Sequence, residues 1–191
     1  MQLIFSDPYY DTKKWDEAVF SNEIKNSLIQ VIDEDLNVHY SNIGHGADCP
    51  SILVELFNSI DWKAIAGTSL VGAFLLGEKI NKNLDAWTAI GKKVNAIIKK
   101  FNPARIDEKA ALAWVINDLA EKGQVQGIIE LNIQVVPFTS GPCKTKLQLE
   151  SQPDNLYVIS VKLKNNVFVY GLKSNTKLEF LKEFDTFWNE F

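Results

Sequence analysis

The chain has 191 residues, of which 46% are hydrophobic and 23% charged, and its mean hydropathy is −0.08. These values exclude an intrinsically disordered chain and a polytopic membrane protein, and two distant cysteines, Cys49 and Cys143, exclude a disulfide-dense scaffold. The net charge of −4 hides a segregation. Residues 1–62 hold eleven acids and three lysines, residues 63–105 eight bases and two acids, and residues 106–191 nine bases and eleven acids. A basic middle therefore lies between acidic flanks, either folded against them or offered to a partner.

The length fits one domain, 1–191, since domains commonly run to about 100–200 residues. Within it the pattern divides into a helical subdomain 50–122 and a β-rich part 125–191. The first residues, Met1 to Asp7, lack a basic region and carry an apolar stretch of only Leu3-Ile4-Phe5. That is not a signal peptide, and the expected location is cytoplasmic.

Leu3-Ile4-Phe5 reads as a short buried strand ended by Asp7-Pro8. Trp15, Val19 and Phe20 are spaced for a helix from Lys13 to about Lys25. Leu28 to Ile32 then looks like a strand, with a turn at Asp33-Glu34-Asp35 and a second strand at Val38-His39-Tyr40. A helix continuing through Ile32 is the competing reading, and periodicity alone does not separate the two. The loop Ile43 to Pro50 feeds a predicted helix from Ser51 to Ser59, because proline is favoured at a first helical position. A further helix restarts at Asp61.

Residues 64–77 contain no charge. A bilayer span needs about 20 apolar residues, so this run is expected as a buried helix of a soluble core. Ile80, Leu84, Trp87, Ile90, Val94, Ile97 and Phe101 continue an apolar stripe at helical spacing. Lys79, Lys82, Lys92, Lys93, Lys99 and Lys100 decorate it, and Asn102-Pro103 ends it. Asp107 caps the next helix, which stops at Gly123. Gly127 to Phe138, Leu147 to Leu149, Leu156 to Leu163 and Val167 to Leu172 read as strands, the last two joined by a tight turn at Asn165-Asn166. Thr176-x-x-Glu179 is a capping-box signature. It predicts a terminal helix with Phe180, Phe184, Phe187 and Phe191 on one face. The expected fold is α+β: a helical middle (about 50–122), an antiparallel C-terminal sheet and a packed C-terminal helix.

Chemically active side chains are few. His45 and Cys49 lie four apart around a glycine-containing turn, and Cys49 would precede a helix N-terminus. That position lowers a thiol pKa and supplies N–H donors for an oxyanion, so the pair is the weak catalytic candidate. A metal site would need His39, His45, Cys49 and Cys143 together at a spacing that matches no zinc pattern. No dinucleotide or phosphate-binding glycine motif occurs, and no cofactor is expected. Arg105 is the one arginine among twenty basic residues. Arginine is the usual fork for base edges, so sequence-specific nucleic-acid binding is disfavoured.

Lys92, Lys93, Lys99 and Lys100 fall on one side of a helix and form the candidate interaction surface. The leading expectation is a non-enzymatic cytosolic interaction or regulatory protein, such as an accessory component of a bacterial system, working through a protein partner. One alternative is a peripheral membrane protein acting through helices 64–101. The other is a small Cys/His enzyme using Cys49 and His45.

Overall fold

The computed structural model describes residues 1–10, 12, 16–30, 36–42, 50–57, 74–76, 84–125, 127–137 and 155–185. In chain order these form β1 (Gln2–Ser6), α1 (Glu17–Ile29), β2 (Leu36–Asn42), β3 (Pro50–Leu56), β4 (Phe74–Leu76), α2 (Leu84–Phe101), β5 (Arg105–Ile106), α3 (Glu108–Glu121), β6 (Glu130–Pro137), β7 (Asn155–Lys162), β8 (Asn166–Lys173) and β9 (Leu178–Asp185). The class is α+β. One sheet has the order β2-β3-β1-β5 and the other β4-β6-β7-β8-β9, and every pairing is antiparallel.

The register explains the core. In the first sheet Leu3 pairs with Val54 and with Ile106, and Phe5 with Ile52, so these five side chains share one face. In the second, Tyr157 faces Leu172, Ile159 faces Tyr170 and Val161 faces Phe168. Helix α3 lies against strands of both sheets, β1 from the first and β6 and β7 from the second. Ala110, Ala111, Leu112, Ala113, Val115, Ile116 and Leu119 are all fully buried in one cluster with these strands. A helix apolar around most of its circumference can only be stable in such a central position. The sheets are stitched by polar contacts where β5 meets the β8–β9 turn. The Tyr157 hydroxyl donates to the Ile106 carbonyl at 2.7 Å, and Ile106 N–H donates to Ser174 O at 2.7 Å.

Helix α2 packs on α3 through its apolar stripe, with Trp87, Ile90, Val94, Ile97 and Ile98 buried. The close approach is made at Gly91. A Cβ there would lie 2.6 Å from the Ala113 carbonyl oxygen and 2.9 Å from Asn117 Cβ, so any side chain would force the helices apart. The Asp107 side chain caps α3 by accepting from Ala110 N–H at 2.8 Å, as its sequence predicts.

Several expectations are corrected. The helix expected at 51–59 is strand β3 over Pro50–Leu56. Pro50 opens a strand, which its lack of an N–H also permits, and Ser51 to Leu56 pair residue by residue with β1 and β2. The strand expected at Leu28 is the last turn of α1, whose Phe20, Ile24 and Leu28 are buried at four-residue spacing. The competing helical reading therefore holds through Ile29, and residues 31–35 lie outside the described residues. In the uncharged run 64–77, expected as one helix, Phe74–Leu76 form β4 on β6, and the rest of the run lies outside the described residues. Among the described residues, the middle, 50–122, is helical at α2 and α3.

The predicted C-terminal helix is instead strand β9, paired with β8 from Asn166↔Asp185 to Leu172↔Leu178. Thr176 has φ 68°, a left-handed turn conformation, whereas a helix N-cap needs extended backbone. It closes a hairpin in which Lys173 N–H donates to Lys177 O at 2.9 Å. The four-residue spacing of Phe180 and Phe184 suits a strand and a helix equally, since both periods return to the same face after four residues. Residues 186–191, with Phe187 and Phe191, lie outside the described residues.

Candidate functional site

The lysine face is built by α2. On a helix of 3.6 residues per turn, Lys92, Lys93, Lys99 and Lys100 cluster on the side opposite Trp87, Val94, Ile97 and Phe101. Burial follows that division: Lys92, Lys99 and Lys100 are exposed and Lys93 is half-buried. The Lys93 ammonium lies 5.8 Å from the centre of the buried Phe57 ring, and that of Lys100 lies 5.0 Å from the Phe101 ring. Among the described residues, Lys92, Lys99 and Lys100 have no carboxylate partner. The helix itself carries one acid, Asp85, in its first turn.

Lys99 and Lys100 sit in the last turn, where the carbonyl ends carry about half a negative charge. Part of their field offsets that dipole, an effect worth about 0.3–1 kcal/mol each. Lys92 and Lys93 lie two turns back, where the dipole has faded, and their charge remains unneutralised by it.

At the C-terminal end of α2 the surface opens into a groove of about 580 Å³. Phe5 and Pro8 come from the end of β1, Phe20 and Ile24 from α1, and Phe101 and Pro103 from the end of α2. The rim holds Ser6, Lys100, Asn102 and Asn175. Among the described residues Lys100 is the one ionisable side chain of the lining, and it also belongs to the lysine face. Phe5 and Phe101 meet edge to face at 6.2 Å, which fixes the floor. The turn beside it is set by Asn102, at φ 46°, whose N–H closes the helix on Ile98 O at 2.9 Å. The sequence gives no warning of this groove. Its walls come from four separated segments, and each wall residue reads locally as ordinary core or turn.

The Cys/His candidate fares differently. His45, Cys49 and Cys143 lie outside the described residues. The helix N-terminus meant to activate Cys49 is not formed, because Pro50 begins β3. His39 is on β2, its Nε2 3.4 Å from Glu55 Oε2 on the neighbouring strand, and over half of its side chain is exposed. Among the described residues there is no group of three or more His, Cys, Asp or Glu placed to hold a metal ion.

Raised carboxyls occur at the start of α3. Burial pushes the Asp107 carboxyl up, opposed by the nearby Met1 amino group and by N–H bonds from Ala110 and Gln2. The Gln2 bond, at 2.9 Å to Oδ2, ties β1 to the cap of α3. Burial also raises Glu108, with the Asp107 charge adding to it. Both sit at the cap of α3, where they bear on fold stability. No helix among the described residues is long and apolar enough to cross a membrane.

Comparison with protein-family models, with curated proteins and with solved structures finds no match to this chain.

Proposed function

We propose that this chain is a non-enzymatic, cytoplasmic interaction protein of regulatory type that receives an acidic protein partner on the lysine face of α2. One observation carries the reading: Trp87, Ile90, Val94, Ile97 and Ile98 of the helix are spent on the core while Lys92, Lys99 and Lys100 stand exposed without a carboxylate partner among the described residues. An amphipathic helix that binds a bilayer buries its apolar face in the lipid. Here Trp87, Val94 and Ile97 are within 1% of full burial, so lipid insertion would have to unpack α2 from α3. That weighs against the membrane reading. The enzyme reading at Cys49 and His45 loses its electrostatic support with the helix it required.

The test is affinity capture from the native host with wild-type chain and with a Lys92→Glu/Lys99→Glu variant, each checked for unchanged far-UV circular dichroism. The reading expects a protein retained by the wild type, released by raised salt and lost with the variant. Equal capture by both would contradict it. Flotation of the wild type with anionic liposomes, abolished in the variant, would favour the membrane reading instead.

A further inference from the structure

Building on the interaction reading, we propose that the partner is engaged by an acidic peptide segment bearing one large apolar side chain, which seats in the groove at the end of α2 while its carboxylates lie along Lys99, Lys100 and Lys92. Charge complementarity selects this occupant. Among the described residues no acid lines the groove, and Lys100 stands in its lining as a member of the lysine face. The volume falls within the range of about 300–1,000 Å³ typical of ligand-holding clefts. The floor, Phe5, Phe20, Ile24 and Phe101, is apolar, while Ser6, Asn102 and Asn175 offer hydrogen-bonding groups to a backbone crossing the rim.

The spacing gives the motif a register. Seven residues separate Lys92 from Lys99, about 10 Å along a helix rising about 1.5 Å per residue. An extended peptide covers about 3.3 Å per residue, so that distance corresponds to about three peptide residues. A matching segment has its apolar anchor beside one or two acids, which reach Lys99 and Lys100, and further acids about three residues on, which reach Lys92. Apolar anchoring with flanking charge gives both affinity and direction.

The experiment measures fluorescence anisotropy of fluorescein-labelled ten-residue peptides with the full chain. Each peptide holds one phenylalanine and four glutamates, placed in this register on either side of the anchor. Controls replace the phenylalanine with serine or the glutamates with glutamine. The expected result is saturable binding to one acidic peptide, weakened at least about tenfold by either control and by Lys92→Glu/Lys99→Glu. Asn175→Trp plugs the groove from its exposed rim without touching the core, and Ala104→Leu narrows it from another wall. Either should weaken binding to the same degree with the melting temperature retained.

Equal binding of the serine control, with loss in the lysine variant, would overturn the groove's role and leave the interaction reading standing. No binding of any acidic peptide would overturn the proposal, while capture from the host tests the interaction reading separately. Displacement of nothing but a dansyl-labelled fatty acid would assign the groove to small amphiphiles and overturn it as well.

Discussion

Gly91→Ala is the sharpest structural perturbation, because two physical effects oppose each other in sign. On an exposed helix position, replacing glycine with alanine stabilises by about 0.8–1 kcal/mol. At Gly91 the new Cβ would stand 2.6 Å from the Ala113 carbonyl oxygen and 2.9 Å from Asn117 Cβ. The first of these is backbone inside α3, held by its own helical hydrogen bonds, and it cannot swing aside. Overpacking of this kind costs about 1–3 kcal/mol. Subtracting the propensity gain leaves a net destabilisation of about 0–2 kcal/mol. Urea unfolding followed by tryptophan fluorescence suits the measurement, since Trp87 is buried on the same helix. Ala96→Gly, at an exposed position of α2, is the control and should cost about 1 kcal/mol by propensity alone. A rise in the urea midpoint for Gly91→Ala would show that α2 and α3 do not cross at this point, and the packing argument would fail.

Other outcomes follow from particular contacts. Gly171→Ala should destabilise by about 1–3 kcal/mol, since its Cβ would fall 2.2 Å from the Phe180 ring across the β8–β9 pair. Adding Phe180→Ala should recover part of that loss in a double-mutant cycle, whereas strict additivity would refute β9 as a strand in this register. Tyr157→Phe should cost about 1–3 kcal/mol in thermal or urea unfolding, because the buried Ile106 carbonyl loses its donor at 2.7 Å. The raised carboxyls of Asp107 and Glu108 make the folded chain hold protons that the unfolded chain has already released. Their contribution to stability is present below the ordinary carboxylate range and is lost as pH rises through the raised values. An Asp107→Asn/Glu108→Gln variant should therefore gain on the wild type as pH rises across that window, and parallel stability curves would contradict the assignment.

What the sequence reveals and what it hides can be traced to specific segments. Strong local chemistry is legible: the Asp107 cap and Gly123 stop bound α3 where expected, and Asn102-Pro103 ends α2. The stripe from Trp87 to Ile98 forms the buried face of α2, and the turn expected at Asn165-Asn166 falls one residue earlier, at Lys164-Asn165, with Asn166 opening β8. The errors arise where local signals are degenerate. Ser51 to Leu56 is a short, mostly apolar run that satisfies helix and strand alike, and the non-local pairing with β1 and β2 decides it. Thr176-x-x-Glu179 meets the capping-box pattern, yet its acid is used across the hairpin. Lys173 and Lys177 contact Glu179 Oε1 at 2.6 and 3.2 Å and hold its carboxyl below the usual range. The lysine face follows from helical geometry and is visible in the sequence. The groove beside it depends on the topology that brings β1, α1, the end of α2 and the β8–β9 turn to one place.

Contact between a protein partner and the lysine face of α2 is the step on which the proposed function depends. A photo-reactive benzoylphenylalanine introduced at Lys92 or Lys99, with the same group at Lys182 on β9 as control, tests it inside the native host. Such contact gives a discrete protein adduct from the two α2 positions, abolished by Glu at the companion lysine, and none from position 182. Adducts from position 182 alone, or none from α2 under any condition, would contradict it.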